Sequence, residues 1–105
     1  MSRDEAAAAR EAGVTRAALR LWVEAGWVRP AEGETGAVFD ELDLARARLV
    51  ARLRDDLGLD DEALPVVLSL IDQVHGLRRR VRAMTEAVDR LPPDLRAEIR
   101  RATGG

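Results

Sequence analysis

The sequence predicts a protein that is dominated by α-helix, with one small β-hairpin and a long C-terminal helix. Three observations support this fold class. Two short helical segments meet at Gly13, and a turn-rich stretch at 30–36 separates two short apolar runs. Apolar residues then repeat at spacings of four and three from Ala63 to Leu91. At 105 residues, the chain is expected to form one domain with a helical extension.

Composition excludes several classes of protein. With 47% hydrophobic and 34% charged residues, we expect neither a disordered chain nor a membrane-spanning one. The absence of Cys and the presence of one His, His75, argue against a metal site. The sequence shows no nucleophile and base pair and no phosphate-binding glycine loop, so we expect no enzyme and no cofactor. Asp4 and Glu5 stand where a secretory signal would be basic, which favours the cytoplasm.

The first helix is predicted from a capping box formed by Ser2 and Glu5, and it should run to Ala12 and end at Gly13. Thr15 is expected to cap a second helix. A left-handed Gly26 should end this helix, whose apolar face consists of Leu19, Trp22 and Val23. Two short helices that meet at a glycine are typical of a helix-turn-helix.

The segments 27–29 and 37–39 are predicted to be strands of a hairpin, the wing of a winged helix-turn-helix. Asp40 should cap a third helix that closes at Gly58. Its expected apolar stripe consists of Leu42, Ala45, Leu49, Leu53 and Leu57. Four arginines interleaved with this stripe are interpreted as a solvated face: Arg46, Arg48, Arg52 and Arg54.

The fourth helix is the longest, and Asp60 is its predicted cap. Because Pro65 has no amide donor, the regular helix begins either directly after Asp60 or about one turn later, at Pro65. We expect it to pack on the winged domain up to about His75 and then to form a dimer coiled coil, because nothing else in the chain remains to cover it. The predicted dimer interface comprises Leu77, Val81, Met84, Val88 and Leu91, flanked by Arg78, Arg79, Arg80 and Arg82. Pro92 should end this helix, and 94–102 should form a short final one. We therefore expect the chain to divide into a winged helix-turn-helix domain at 1–60, the long helix at 61–91, and a short C-terminal helix with a flexible tail at 92–105.

The order of these elements resembles the MerR family over 9–71, and AGVTRAALRLW (12–22) matches that family's turn and second helix. Three stretches are more specifically similar to the chaperone modulatory protein family CbpM: VFD, RLRDDLGLD and VVLSLIDQVHGLRRRV. This resemblance covers roughly 9–91. It implies a MerR-like fold that binds the J-domain of a CbpA or DnaJ-type co-chaperone and blocks its stimulation of DnaK.

Charge favours a protein partner over DNA. From Trp27 to Ala45 the chain has one arginine and five carboxylates, so the wing should repel phosphate. The candidate J-domain contacts are therefore acidic: Glu32, Glu34, Asp40, Asp55 and Asp56. A DNA-binding regulator of the MerR type remains the alternative, and it would use Arg16 and Arg20.

Overall fold

The computed structural model describes residues 2–104, and the observed architecture is the predicted one, a helical protein with a two-stranded hairpin and a long helix near its C-terminus. Within the described residues the elements follow in the order α1 (Glu5–Ala12), α2 (Arg16–Glu24), β1 (Ala31–Gly33), β2 (Gly36–Val38), α3 (Glu41–Asp55), α4 (Ala63–Asp89) and α5 (Pro93–Thr103). The chain divides into two compact units, one ending at Leu68 and one beginning at Ser69.

Helix α1 begins differently from the prediction, because Asp4 and not Ser2 is its cap. The Asp4 carboxylate accepts a hydrogen bond of 2.8 Å from the amide of Ala7. The predicted partner of Ser2, Glu5, directs its carboxylate to arginines of α2 instead. Since a charged donor binds a carboxylate more strongly than a neutral amide does, the arginines displace the capping box.

Helix α2 forms as predicted. The Thr15 hydroxyl accepts a hydrogen bond of 3.1 Å from the amide of Ala18. Between the two helices the chain turns at Gly13, whose φ of 75° lies in the left-handed region that glycine adopts without strain. Ala9 and Leu19 are buried, which is consistent with the close approach of α1 and α2.

The hairpin is present, but its first strand lies further along the chain than predicted. Strands β1 and β2 are antiparallel, with Gly33 opposite Gly36. The predicted strand 27–29 is wrong: the amides of Trp27 and Val28 both donate to the Trp22 carbonyl, at 2.9 and 3.3 Å, so this segment closes the end of α2. Because a local turn uses these amides, a strand partner cannot use them.

The residue after β2, Phe39, was expected to belong to the second strand. It forms an isolated antiparallel bridge with Arg3, in which each amide donates to the other residue's carbonyl, at 2.8 and 2.9 Å. Phe39 is buried, and the Arg3 guanidinium binds Glu11 at 2.6 Å and Glu41 at 2.7 Å. The N-terminal segment is thereby held against the segment that follows the hairpin.

Helix α3 has the predicted cap, but of the predicted apolar stripe only Leu53 is buried. Asp40 and Asp43 form a reciprocal capping box with hydrogen bonds of 2.9 and 3.0 Å. Leu42 and Leu57 of the predicted stripe are 79% and 68% exposed. The buried residues are Leu44, Ala47, Val50 and Leu53. Apolar residues occur on both sides of α3, so the pattern alone did not determine which side would face the core.

Helix α4 starts at Ala63, with Pro65 in its first turn, and Asp60 accepts hydrogen bonds from the amides of Glu62 and Ala63 at 3.1 and 2.9 Å. Its buried residues are Leu64 and Leu68. The expectation that packing would continue to about His75 is wrong, because Leu70 and Val74 are 54% and 44% exposed.

Helix α5 runs from Pro93 to Thr103, close to the predicted 94–102. It corrects the expectation that nothing in the chain could cover the end of the dimer seam. Ile99 shares a groove with Val88, and Arg100 lies 3.5 Å from Asp89. Val88 and Leu91 are accordingly half-buried. None of the described helices combines the length and the apolar character needed to cross a membrane.

Candidate functional site

The outer face of α2 carries both arginines that the DNA-binding alternative would use. The guanidinium of Arg16 lies 3.1 Å from a carboxylate oxygen of Glu5, and the guanidinium of Arg20 lies 2.7 Å from the same oxygen. Arg20 also donates to the second oxygen of Glu5, at 3.3 Å. One carboxylate of α1 thus holds both arginines of α2.

This arrangement changes the ionisation of its members. The hydrogen bond from Arg20, followed by that from Arg16, lowers the pKa of Glu5 below its ordinary value, against the opposing effect of burial. The same hydrogen bond raises the pKa of Arg20. The carboxylate therefore stays charged at neutral pH, and it compensates part of the positive charge that phosphate would need on this helix.

The hairpin carries the first group of predicted partner contacts. Glu32 on β1 and Glu34 in the following turn are both exposed. Asp40 has a structural role as the cap of α3, and its pKa is lowered mainly by the hydrogen bond from the backbone of Asp43. Burial raises the pKa of Asp43. Of these residues, the two hairpin glutamates are the ones available to a partner.

The second group lies at the end of α3. Asp55 binds the neighbouring Arg54 at 2.7 Å, and this hydrogen bond lowers the pKa of Asp55. The Arg54 guanidinium lies 5.0 Å from the centroid of the Trp22 ring, a cation–π geometry. Asp56 is the exposed residue that follows the helix. Asp56 is therefore the less engaged of the two predicted aspartates.

The predicted solvated face of α3 is confirmed for Arg48 and Arg52, which are exposed, whereas Arg46 and Arg54 are half-buried. Arg46 donates to the Trp27 carbonyl at 2.8 Å, in a partly buried hydrogen bond. Arg48 donates to the Glu11 carbonyl at 3.1 Å. Together with Arg54, which lies over Trp22, they connect α3 to residues far away in the sequence.

A cavity of about 580 Å³ opens beside the end of α2, and the sequence did not predict it. It is lined by Ala18, Leu21, Trp22, Ala25, Trp27, Arg54 and Asp61. Trp22 is buried, as expected for a core ring, whereas Trp27 is only half-buried. Leu21 is 63% exposed. A leucine on the outer side of a helix is too common a feature to have indicated the cavity.

The predicted dimer seam lies along α4. Leu77, Val81 and Met84 are 56%, 62% and 68% exposed, and they share one side of the helix by their spacing. His75 and the arginines that flank the seam are also exposed. Residues 2–104 include no group of three or more histidines, cysteines or carboxylates that could hold a metal ion.

Two helices joined by a glycine turn, followed by a hairpin and a further helix, define a winged helix-turn-helix protein. The family model of the MerR HTH family regulatory proteins matches residues 7–86, from the middle of α1 almost to the end of α4. The chain belongs to this MerR family.

Proposed function

We propose that this protein binds the J-domain of a DnaJ or CbpA-type co-chaperone and blocks that domain's stimulation of DnaK. Two observations support the proposal within the MerR family. The stretches VFD (38–40), RLRDDLGLD (52–60) and VVLSLIDQVHGLRRRV (66–81) are similar to the chaperone modulatory protein family CbpM. The surface that a MerR protein would offer to DNA is acidic on the hairpin and only partly positive on α2, where Glu5 pairs with both arginines.

That charge distribution is the observation that carries the proposal. Affinity for DNA requires several cations placed against phosphates, and a recognition helix in the major groove must supply some of them. In this protein Glu5 binds both Arg16 and Arg20, while the hairpin presents Glu32 and Glu34. Such a surface disfavours phosphate and favours a basic protein surface.

The proposed mechanism is occlusion. A J-domain presents a basic helix to DnaK, and carboxylates on this protein would attract the same helix. While that helix is covered, DnaK cannot reach it. Electrostatic complementarity of this kind contributes orientation and association rate more than affinity, so binding should weaken as salt increases.

The first test is calorimetric titration of the protein with the J-domain of the host's CbpA-like protein, at low and at physiological salt. We expect saturable binding near one J-domain per chain, weaker at the higher salt. Absence of binding at both salt concentrations would contradict the proposal.

Charge reversal tests which acidic surface is used. We expect at least one of two double variants, Glu32→Arg with Glu34→Arg or Asp55→Arg with Asp56→Arg, to weaken J-domain binding by about tenfold, roughly 1.4 kcal/mol. The matched control reverses two exposed carboxylates of α5, Asp94 and Glu98, and should bind like the wild type. Unchanged affinity in both test variants would rule out recognition through these carboxylates.

DNA binding is the second candidate, and the match to MerR HTH regulatory proteins favours it. The test is to measure binding of the protein to the DNA of its own promoter at several salt concentrations. If DNA is the ligand, binding should weaken as salt increases, and Arg20→Ala should abolish it. Glu5→Gln gives a further criterion. Because it removes the carboxylate that holds both arginines, it should increase affinity for DNA if DNA is the ligand. Binding that neither variant changes would contradict a role for α2 in reading DNA.

We also propose that the protein is a homodimer in the cytoplasm, paired through the exposed apolar side of α4. The spacing of Leu77, Val81 and Met84 suits a coiled-coil seam, and burial of three large apolar side chains per chain would favour association. Either candidate function would be carried out in the cytoplasm, where DnaK-type chaperones act.

A further inference from the structure

The cavity beside α2 is a surface without a role in the fold or in the charge argument above. Its floor includes the Trp22 ring, and Leu21 and Trp27 leave apolar surface open to solvent. At about 580 Å³ the cavity can hold one or two large apolar side chains. All its lining residues belong to the unit that ends at Leu68, so it is a feature of the winged domain alone.

Asp61 lines the cavity and belongs to an acidic segment, 55–62, which we call the rim. All five carboxylates of this segment are exposed: Asp55, Asp56, Asp60, Asp61 and Glu62. Arg54 is the one cation in the lining, and its pKa is raised mainly by its hydrogen bond to Asp55 and further by the charge of Asp61. That cation is already bound to Asp55 and lies over Trp22. An occupant therefore meets an apolar floor and a negative edge.

We infer that this cavity is the docking site for an apolar side chain of a basic amphipathic helix. A helix presents apolar anchors and cations on adjoining faces, which matches an apolar floor beside a carboxylate rim. Strand addition is not available here, because none of the lining residues belongs to β1 or β2. Nucleic acid is disfavoured, because its phosphates would face the rim carboxylates.

This inference rests on the proposed function for the identity of the partner, whose J-domain would supply the basic helix. The inference adds an apolar contact to the electrostatic ones. Salt-sensitive carboxylates give orientation, and an anchor buried between Leu21 and the two tryptophans gives a contact that persists at physiological salt.

The test compares two exposed leucines of the same unit by calorimetric titration with the J-domain. Leu21→Asp places a charge at the cavity, and Leu42→Asp places the same charge on α3 at a residue that does not line the cavity and is 79% exposed. We expect Leu21→Asp to lose at least about tenfold in affinity and Leu42→Asp to bind like the wild type. Circular dichroism of both variants checks that they keep the wild-type helix content.

A second variant and a spectroscopic measurement guard against a folding effect in Leu21→Asp. Asp61→Arg reverses the rim charge without altering a buried group, and it should also weaken binding at low salt. The chain has two tryptophans, so its NMR spectrum contains two indole N–H signals, which Trp27→Phe assigns. Addition of the J-domain to the wild type should shift both signals.

Three results would contradict the proposal that the cavity is a docking site. If Leu21→Asp and Asp61→Arg both bind the J-domain with wild-type affinity and the indole signals do not shift, the cavity is not the docking site, although J-domain binding itself still stands. Equal losses in Leu21→Asp and Leu42→Asp also overturn it, because the effect is then not specific to the cavity. Absence of binding by the wild type overturns the proposed function and this inference together.

Discussion

Glu5 shows how one side chain can alter the properties of a helix-turn-helix. Its sequence position suits a capping box, yet in the structure it accepts hydrogen bonds from Arg16 and Arg20 across the turn. These bonds lower the pKa of Glu5, chiefly through Arg20. The stabilisation is thus present above the carboxyl pKa of the unfolded chain and is lost as the pH falls through the lower pKa of the folded one.

Glu5→Gln should reduce the free energy of unfolding at neutral pH. The difference from wild type should shrink as the pH falls below the ordinary carboxyl pKa of 4.5, and it should vanish below the lower pKa of Glu5 in the folded protein. Urea unfolding followed by circular dichroism, at neutral pH and at an acid pH below the folded-state pKa of Glu5, measures both effects. Glu34→Gln, in the exposed hairpin turn, is the control and should leave stability unchanged at either pH. A difference that persisted in acid would show that Glu5 stabilises the protein by something other than its charge.

At the scale of elements, the helix boundaries follow local signals, while the buried faces follow neighbouring elements. Thr15 and Asp40 cap α2 and α3 as the sequence indicates. The long helix α4 has one buried row and one exposed row, and Leu64 belongs to the first while Leu70 belongs to the second. These two leucines of one helix allow a direct comparison of core and surface.

Leu64→Ala should destabilise the winged domain by about 2–5 kcal/mol, because it leaves a cavity at a residue that is 0% exposed. Leu70→Ala is the matched control, at 54% exposure, and should cost less than about 1 kcal/mol. Denaturant unfolding of both variants tests the difference. Equal destabilisation would mean that Leu70 is also buried in solution, as it would be if a second copy covered it.

At the scale of the whole molecule, α4 leaves most of its apolar seam uncovered. The second unit consists of the rest of α4 together with α5, and Ile99 and Thr103 of α5 share a groove with the seam residues Val81, Met84 and Val88. Leu77, Val81 and Met84 stay exposed in the single chain. An apolar row of this length is typical of a surface that pairs with another helix.

Val81→Glu and Met84→Glu should each produce monomers, because each places a charge on the seam. Ala83→Glu adds the same charge on the opposite side of α4 and should remain dimeric. Sedimentation velocity distinguishes the two states. A dimer in the seam variants, or a wild-type monomer, would exclude pairing through this side of the helix.

What the sequence determined by itself is the order of elements and most of their ends. Helix caps, left-handed glycines and the apolar repeat depend on residues that are a few positions apart, so α2, α3 and the long helix could be predicted from them. The acidic character of the hairpin could be predicted from composition. Predictions from local sequence can also fail, even where the deciding contact is only a few residues away. Residues 27–29 have the composition of a strand, but the Trp22 carbonyl takes two of their amides.

The tertiary structure alone decided which groups meet. Glu5 binds arginines eleven and fifteen residues away, and Arg46 reaches the carbonyl of Trp27 nineteen residues away. Which side of α3 is buried, where packing of α4 ends and where Leu21 opens a cavity depend in the same way on elements distant in the sequence. Periodicity reports that a helix has an apolar face, but only the packed neighbours determine whether that face is covered or left for a partner.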